Sequence, residues 1–456
     1  MRWNASLRVK RAEMRTLYNL LFTFFFLLSS PYYFLKMWRR GNWREGFSQR
    51  FGRYSSQLKQ ALTNRHVLWL HAVSVGEVNI CTQLIRALEP RLPNLKLVVS
   101  TTTSTGMGEL LKRLPRHIDK IYYPIDQRSV VERATRIINP EAVVLIEAEI
   151  WPNFLWRLQD KSIPVFLVNA RLSEKSYRGY KRFGFLFRSL FASLTGVGVQ
   201  NETDALRLRE LGGRPEAIQI VGNLKFDAAR LHERPLFDVA VLLRQLGVTD
   251  GARILVGGST HAGEEAILAE LFLRLRKEFP DLFLILVPRH FERGKEVGEA
   301  LQRLGVKFVY RTQISTTTAH PPGEVECLLV NTTGELKYFY EAASVIFVGK
   351  SLTAEGGQNP IEPGALGKAM VFGPNMQNFV SIASAFVARQ GASQVRDATE
   401  LEQAVRALLG NADRRRELGR NALKVVSENL GSIERTVAMI VKHLHAEDVY
   451  VKPQGP

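Results

Sequence analysis

The chain has 456 residues, 45% of them hydrophobic and 23% charged, with a formal net charge of +18. That length exceeds what a single core serves and predicts two domains of roughly 150 to 200 residues each, while the apolar content excludes a disordered polyelectrolyte. Cys81 and Cys327 lie too far apart in sequence to read as a metal-ligand or redox pair and fit packed thiols in a reducing compartment.

The positive charge is concentrated at the start. Residues 1–60 hold twelve Lys/Arg against Glu13 and Glu45, a net +10. These cations bracket LYNLLFTFFFLLSSPYYF, residues 17–34, which carries no charge. A stretch of about 18 such residues spans a bilayer or lies in one leaflet, and both remain open. No small-residue cleavage site follows, because Pro31, Tyr32 and Tyr33 lead straight into Lys36, Arg39 and Arg40. A core helix rarely carries cations at both ends, so residues 1–45 are expected to form a membrane anchor suited to an anionic surface.

From about residue 65, short apolar runs alternate with amphipathic segments: HVLWLHAV, LKLVVSTTT, KIYYPI, EAVVLIEAE, IPVFLVNA and GVGVQN. Such runs predict parallel strands covered on both faces, hence one doubly wound α/β domain at 46–230. GNLKFDAARLHERPLFD, residues 222–238, breaks the rhythm as an interdomain connection. ARILVGGST, LFLILVPRH, VECLLVNTT, ASVIFVGKS and AMVFGP then restart it, predicting a second Rossmann-like domain at 231–430 and a C-terminal helix and tail at 431–456. Two such domains are expected to face each other across a cleft bordered by strand carboxyl ends, where ligands of these sheets bind.

Several polar residues fall at those ends. Glu77 in HAVSVGEV follows the first strand; taken alone, it reads as a helix-start acid favoured by the dipole. Glu147 and Glu149 in EAEIWPN end another strand and would share one face if the strand persists, with surface solvation as the plainer reading. In GGSTHAGEE, Gly257 and Gly258 permit close approach, while Ser259 and Thr260 would cap a helix and offer donors to a phosphate. VPRH places Arg289 and His290, TTGEL places Gly334 and Glu335, and GGQNPIEPGALGKAMVFGP places Asn359 beside Glu362 at a helix start. A capped sharp turn also accounts for Pro360 and Pro363.

In order along the chain, HAVSVGEV, EAEIWPN, VNARLSEKSYRGY, GNLKFD, GSTHAGEE, VPRH and GGQNPIEPGALGKAMVFGPNMQNF resemble the bacterial 3-deoxy-D-manno-octulosonic acid (Kdo) transferases, from the anchor to near residue 430. The resemblance implies a GT-B glycosyltransferase on the cytoplasmic face of the bacterial inner membrane. It would move Kdo, with inversion, from CMP-Kdo to the lipid A precursor in lipopolysaccharide biosynthesis. It further implies Glu77 as general base, Glu147 and Lys225 as transition-state stabilisers, and a CMP site at Pro288, Arg289, Thr333, Gly334, Glu335, Asn359, Pro360, Ile361 and Glu362. Ala148 stands where threonine is usual, Asn331 and Thr333 where aspartate and methionine are, Gln358 for a histidine and Lys350 for a glycine.

The chemistry is consistent with that reading. Inverting transfer needs a carboxylate to take the acceptor proton, and cations where charge collects on departure, for which Lys225 and Arg289 are placed. A monophosphate donor and the lack of an Asp-x-Asp pair at a strand end predict neither metal nor cofactor. Other readings are a GT-B enzyme using a UDP-sugar on a lipid carrier, a GT-B-like epimerase, which would need no anchor, and a membrane-tethered nucleic-acid binder. The globular part lacks aromatics interleaved with its cations, which argues against nucleic acid.

Overall fold

The computed structural model describes residues 2–39, 44–147, 149–230 and 237–444. The chain divides into two compact units, one of residues 1–228 with 431–456, the other of residues 229–430.

The first unit is built on seven parallel strands: β1 (Val67–His71), β2 (Lys96–Thr101), β3 (Asp119–Tyr122), β4 (Pro140–Ile146), β5 (Val165–Ala170), β6 (Gly196–Val199) and β7 (Ile218–Ile220). Their order is β3-β2-β1-β4-β5-β6-β7, so the winding reverses between β1 and β4. Every residue of β1 is buried, which explains the unbroken VLWL: side chains alternate, and each face needs its own apolar set. Val67 and Trp69 pack with Val143, Leu145, Phe154 and Trp156 on one face. Leu68 and Leu70 pack with Ala142, Val144 and Ile146 on the other. Each such burial contributes on the order of 1.5–3 kcal/mol.

Helix Ser432–Leu444 closes that second face through Val437, Met439, Ile440 and Val441, so the end of the chain returns to the first core. Asp227 fastens the return, accepting the Gly431 and Ile433 amides at 2.7 and 2.6 Å.

The second unit holds β8 (Ile254–Thr260), β9 (Phe283–Pro288), β10 (Phe308–Tyr310), β11 (Cys327–Leu329), β12 (Val345–Val348), β13 (Met370–Phe372) and β14 (Ser393–Gln394), all parallel, in the order β10-β11-β9-β8-β12-β13-β14. Its reversal lies between β8 and β12. Both units are doubly wound α/β sheets. The sequence missed β7, β10 and β14, edge strands of two or three residues whose apolar pattern is too short to register.

The N-terminal segment is one helix, α1 (Arg2–Arg39). Residues 14, 15, 18, 19, 22 and 26 form a half-buried stripe at helical spacing, while Leu20, Leu21, Phe24, Phe25 and Leu28 are exposed. Among the described residues no helix is long and apolar enough to cross a membrane.

Candidate active site

In the first unit the chain turns at the ends of β1 and β4, on either side of the reversal. After β1, Ser74 caps helix Val75–Leu88 and Glu77 occupies its third position, forming a capping box. One Glu77 carboxylate oxygen accepts the Val73 amide at 2.8 Å; the other accepts the Ser74 amide and hydroxyl at 3.3 and 2.8 Å. The plain helix-start reading of Glu77 is therefore structurally correct, and compatible with a chemical role, because a carboxylate has roughly four lone-pair positions. Gly76 lies within the helix, and an added Cβ there would meet nothing nearer than the Ser74 hydroxyl at 3.8 Å.

After β4 the strand does not persist. Glu147 takes φ +65°, a left-handed conformation strained for a residue with a Cβ, so Glu147 and Glu149 do not share a strand face as expected. Glu147 meets Lys225, with Nζ to carboxylate at 3.7 Å. Glu149 accepts the Trp151 indole N–H at 2.8 Å, and its carboxylate lies 4.0 Å from Nε2 of His71. His71 is fully buried, stacked on Tyr123 at 3.9 Å, and burial holds it neutral with its pKa lowered to about 3, so the approach to Glu149 is a contact rather than an ion pair. Ala148, which departs from the family pattern, lies outside the described residues.

Burial raises the Glu77 carboxyl to about 6; the Val73 and Ser74 hydrogen bonds oppose the shift, and the negative charges of Glu147 and Glu149 add to it. Burial likewise raises Glu149, with Glu147 adding to the effect and the Trp151 bond opposing it. The result is a cluster of three carboxylates in electrostatic contact, one of them joined to a lysine, at a strand reversal where ligands of such sheets bind. Glu77, Glu147 and Lys225, scattered over 149 positions of the sequence, are thus brought together.

In the second unit, Pro288 ends β9 buried, and the amide of Arg289 bonds to Thr260 at 3.0 Å with its side chain exposed. Asn359 donates to Glu362 at 3.2 Å and accepts the Ile361 amide at 3.1 Å, bracing the short helix Ile361–Ala365 that follows Pro360. Burial raises the Glu362 carboxyl, while Asn359 and the charges of Arg289 and Lys337 pull it back, so these groups lie within mutual electrostatic reach. Thr333 and Gly334 sit on an exposed turn after β11. The Glu335 carboxylate is engaged by Thr332 at 2.6 Å and Arg311 at 3.1 Å.

Two expectations for GGSTHAGEE are corrected. Helix Glu264–Leu275 has Gly263 at its N-cap with no side-chain cap, and the Thr260 hydroxyl donates to buried Glu265 at 2.9 Å, so neither Ser259 nor Thr260 caps it. Gly258 makes room for Tyr340, whose hydroxyl would lie 2.0 Å from an added Cβ, and not for a ligand. Glu264, which the sequence reading did not single out, is fully buried and accepts the amides of His261, Lys350, Ser351 and Leu352 at 2.7–3.0 Å, tying the end of β8 to the end of β12.

A family model described as 3-deoxy-D-manno-octulosonic-acid transferase (kdotransferase) matches residues 45–228. Over 403 residues the chain is 30% identical to the 3-deoxy-D-manno-octulosonic acid transferase of Haemophilus influenzae, covering 88% of this chain and 92% of that one. It is 32% identical over 422 residues to the corresponding transferase of Bordetella pertussis, covering 90% and 95%. The chain belongs to the Kdo transferase family. It is a glycosyltransferase. The solved UDP-GlcNAc 2-epimerase of Neisseria meningitidis bound to UDP-GlcNAc matches at TM-score 0.53 and 13% identity over 83% of this chain and 100% of that one, a likeness of fold alone, of the GT-B type.

Within this Kdo transferase, two of the departures from the family pattern have defined local surroundings. Lys350, at φ +55°, occupies a left-handed position natural to glycine, and its amide is held by Glu264 at 2.7 Å. Asn331 exchanges bonds with the Thr312 amide and hydroxyl at 3.1 and 2.9 Å. The residues that reading the sequence did not select, Ser74, Asp227 and Glu264, accept backbone amides, Ser74 that of Glu77 three residues on and the other two those of segments far along the chain. Of these, only Ser74 left a local signal, the Ser-x-x-Glu spacing of a capping box.

Proposed function

We propose that this transferase moves Kdo, with inversion, from CMP-Kdo to a lipid A precursor in lipopolysaccharide core biosynthesis, at the cytoplasmic face of the bacterial inner membrane. The observation that carries the reading is the raised, partly desolvated Glu77 beside the Glu147–Lys225 pair. Glu77 removes the proton from the acceptor hydroxyl as oxygen attacks the anomeric carbon, and a carboxyl poised near 6 is a stronger base than an ordinary one at 4.5. Lys225, held by Glu147, faces the negative charge of the Kdo carboxylate and the departing phosphate.

Arg289, Glu362 and Asn359 provide the donor contacts: a cation for the phosphate and a half-buried carboxylate with its amide for ribose hydroxyls. Pro288, Pro360 and Ile361, with Thr333, Gly334 and Glu335, complete the proposed CMP contacts. A monophosphate leaving group, carrying less charge than a diphosphate, supports transfer without a metal or cofactor.

The exposed Leu and Phe side chains of α1, with the cations around them, support shallow insertion of this helix into an anionic leaflet, bringing the enzyme to an acceptor confined to the bilayer. The test is the product mass after incubation with CMP-Kdo and lipid acceptor, alongside a UDP-sugar control. Mass increments of one or more Kdo residues on the lipid support the reading. Transfer from the UDP-sugar alone sinks it.

A further inference from the structure

Asp126, only 2% exposed, sits after β3 and has no place in the chemistry above. One of its carboxylate oxygens accepts the Phe154 amide at 2.9 Å; the other accepts the Asn153 amide at 3.0 Å and the Tyr18 hydroxyl at 2.8 Å. Helix Pro152–Asp160 needs this help, because its own N-cap, Trp151, offers no side-chain acceptor and instead donates its indole N–H to Glu149. Asp126 thus supplies from another element the cap that Trp151 cannot.

The same cluster receives α1. Asn19 and Asn153 exchange amide bonds at 3.2 and 3.0 Å, and Asn153 also donates to the Asp126 carbonyl at 2.6 Å. Tyr18 sets its ring edge-on to Trp156 at 5.6 Å, and Arg15 forms a two-point bond to Asp160 at 2.8 and 2.9 Å. A continuous series of contacts therefore runs from Tyr18 and Asn19 through Asp126 and Asn153 to the start of the helix, then through Trp151 to Glu149.

We propose that Asp126 is a positioning residue that links the seating of α1 to the geometry of the carboxylate cluster after β4, so that the enzyme is fully active only with its N-terminal helix in place. The inference rests on the reading of Glu77 as the base. Glu147 and Glu149 are the charges acting on Glu77 from the end of β4, with Lys225 paired to Glu147 and His71 neutral beneath. Displacing Glu149 weakens the repulsion that holds the Glu77 proton on.

The experiment uses the full chain, assayed with CMP-Kdo and vesicle-borne lipid acceptor across pH, for Tyr18→Phe, Asp126→Asn and Glu149→Gln, with melting temperature as a check on folding. Tyr18→Phe and Asp126→Asn are expected to lower kcat on the order of tenfold, leaving KM for CMP-Kdo unchanged. Both should also move the acid limb of the rate profile to lower pH, as Glu149→Gln does. A loss equal at every pH with the limb unmoved, or no loss, overturns the inference; should Asp126→Asn fold poorly, Tyr18→Phe decides alone. If Glu77→Gln remains active, the base assignment itself has failed, an outcome separable from these.

Discussion

Ser74 and Glu77 cap one another: the Glu77 amide donates to the Ser74 hydroxyl oxygen at 3.3 Å, while the Ser74 amide and hydroxyl donate to the Glu77 carboxylate at 3.3 and 2.8 Å. The proposed base is therefore held by the helix it helps to start, which removes the rotamer freedom that would blur its aim. Glu77→Gln is expected to lower transfer by about 100-fold or more while CMP binding is retained. Glu77→Ala, which also loses the cap, should unfold about 1 kcal/mol more easily than Glu77→Gln in denaturant titrations. Near-normal turnover of the glutamine variant would falsify the base role.

Activity and stability should respond to pH in opposite senses at this residue. The folded carboxyl, near 6, lies above its ordinary 4.5, so the folded chain binds this proton more tightly than the unfolded one. That contribution is fully present below the ordinary value and is lost as pH rises through about 6. It amounts to about 2 kcal/mol, and melts of the wild type against Glu77→Gln from acid to neutral pH read it. The base works only when ionised, so kcat/KM should fall as pH drops through the same window. An acid limb at the ordinary carboxylate position would contradict the burial argument.

Lys225 and Glu147 should act on the chemical step. Lys225→Met is expected to reduce kcat on the order of 100-fold with little change in KM for CMP-Kdo, and Lys225→Arg to recover part of it. Glu147, at φ +65°, carries backbone strain that glycine would not. Glu147→Gly should melt at or above Glu147→Gln, although both lose activity. A KM effect confined to the donor would move Lys225 out of the transition-state role.

Arg289 is expected to act on donor binding. Removing a charge-assisted bond to phosphate costs about 1.5–3 kcal/mol, so Arg289→Ala should raise KM for CMP-Kdo by roughly 10- to 100-fold. Chelators should leave the rate unchanged in the same assay; a rate restored only by added divalent ion would refute the metal-free step.

The exposed face of α1 gives a separate test. Replacing Phe24, Phe25 and Leu28, exposed at 68%, 62% and 73%, with serine should release the enzyme from anionic vesicles in co-sedimentation without changing its melting temperature. Unchanged sedimentation would place the lipid contact elsewhere.

How much of this was legible beforehand follows from the range of the forces involved. Strands buried on both faces are apolar along most of their length, so β1, β4, β8 and β9 announce themselves as runs such as VLWL and LILV, and the acids and cations just beyond them stand out by contrast. From that pattern came the doubly wound sheets and the strand-end residues Glu77, Glu147, Arg289 and Glu362, to which the resemblance to Kdo transferases gave roles.

The sequence cannot show partnerships across long separations. Asp126 caps a helix that begins 26 residues later, Asp227 fastens Gly431, and Glu264 gathers amides 86 to 88 residues away; nothing beside any of them in the sequence names these partners. Nor could it show that Glu147 leaves the strand with positive φ, or that the Thr260 hydroxyl is taken by Glu265. Apolar periodicity is written locally because burial acts on every residue of a strand, whereas a buried carboxylate finds its donors only when folding brings distant amides to it, and that pairing sets both its charge and its use.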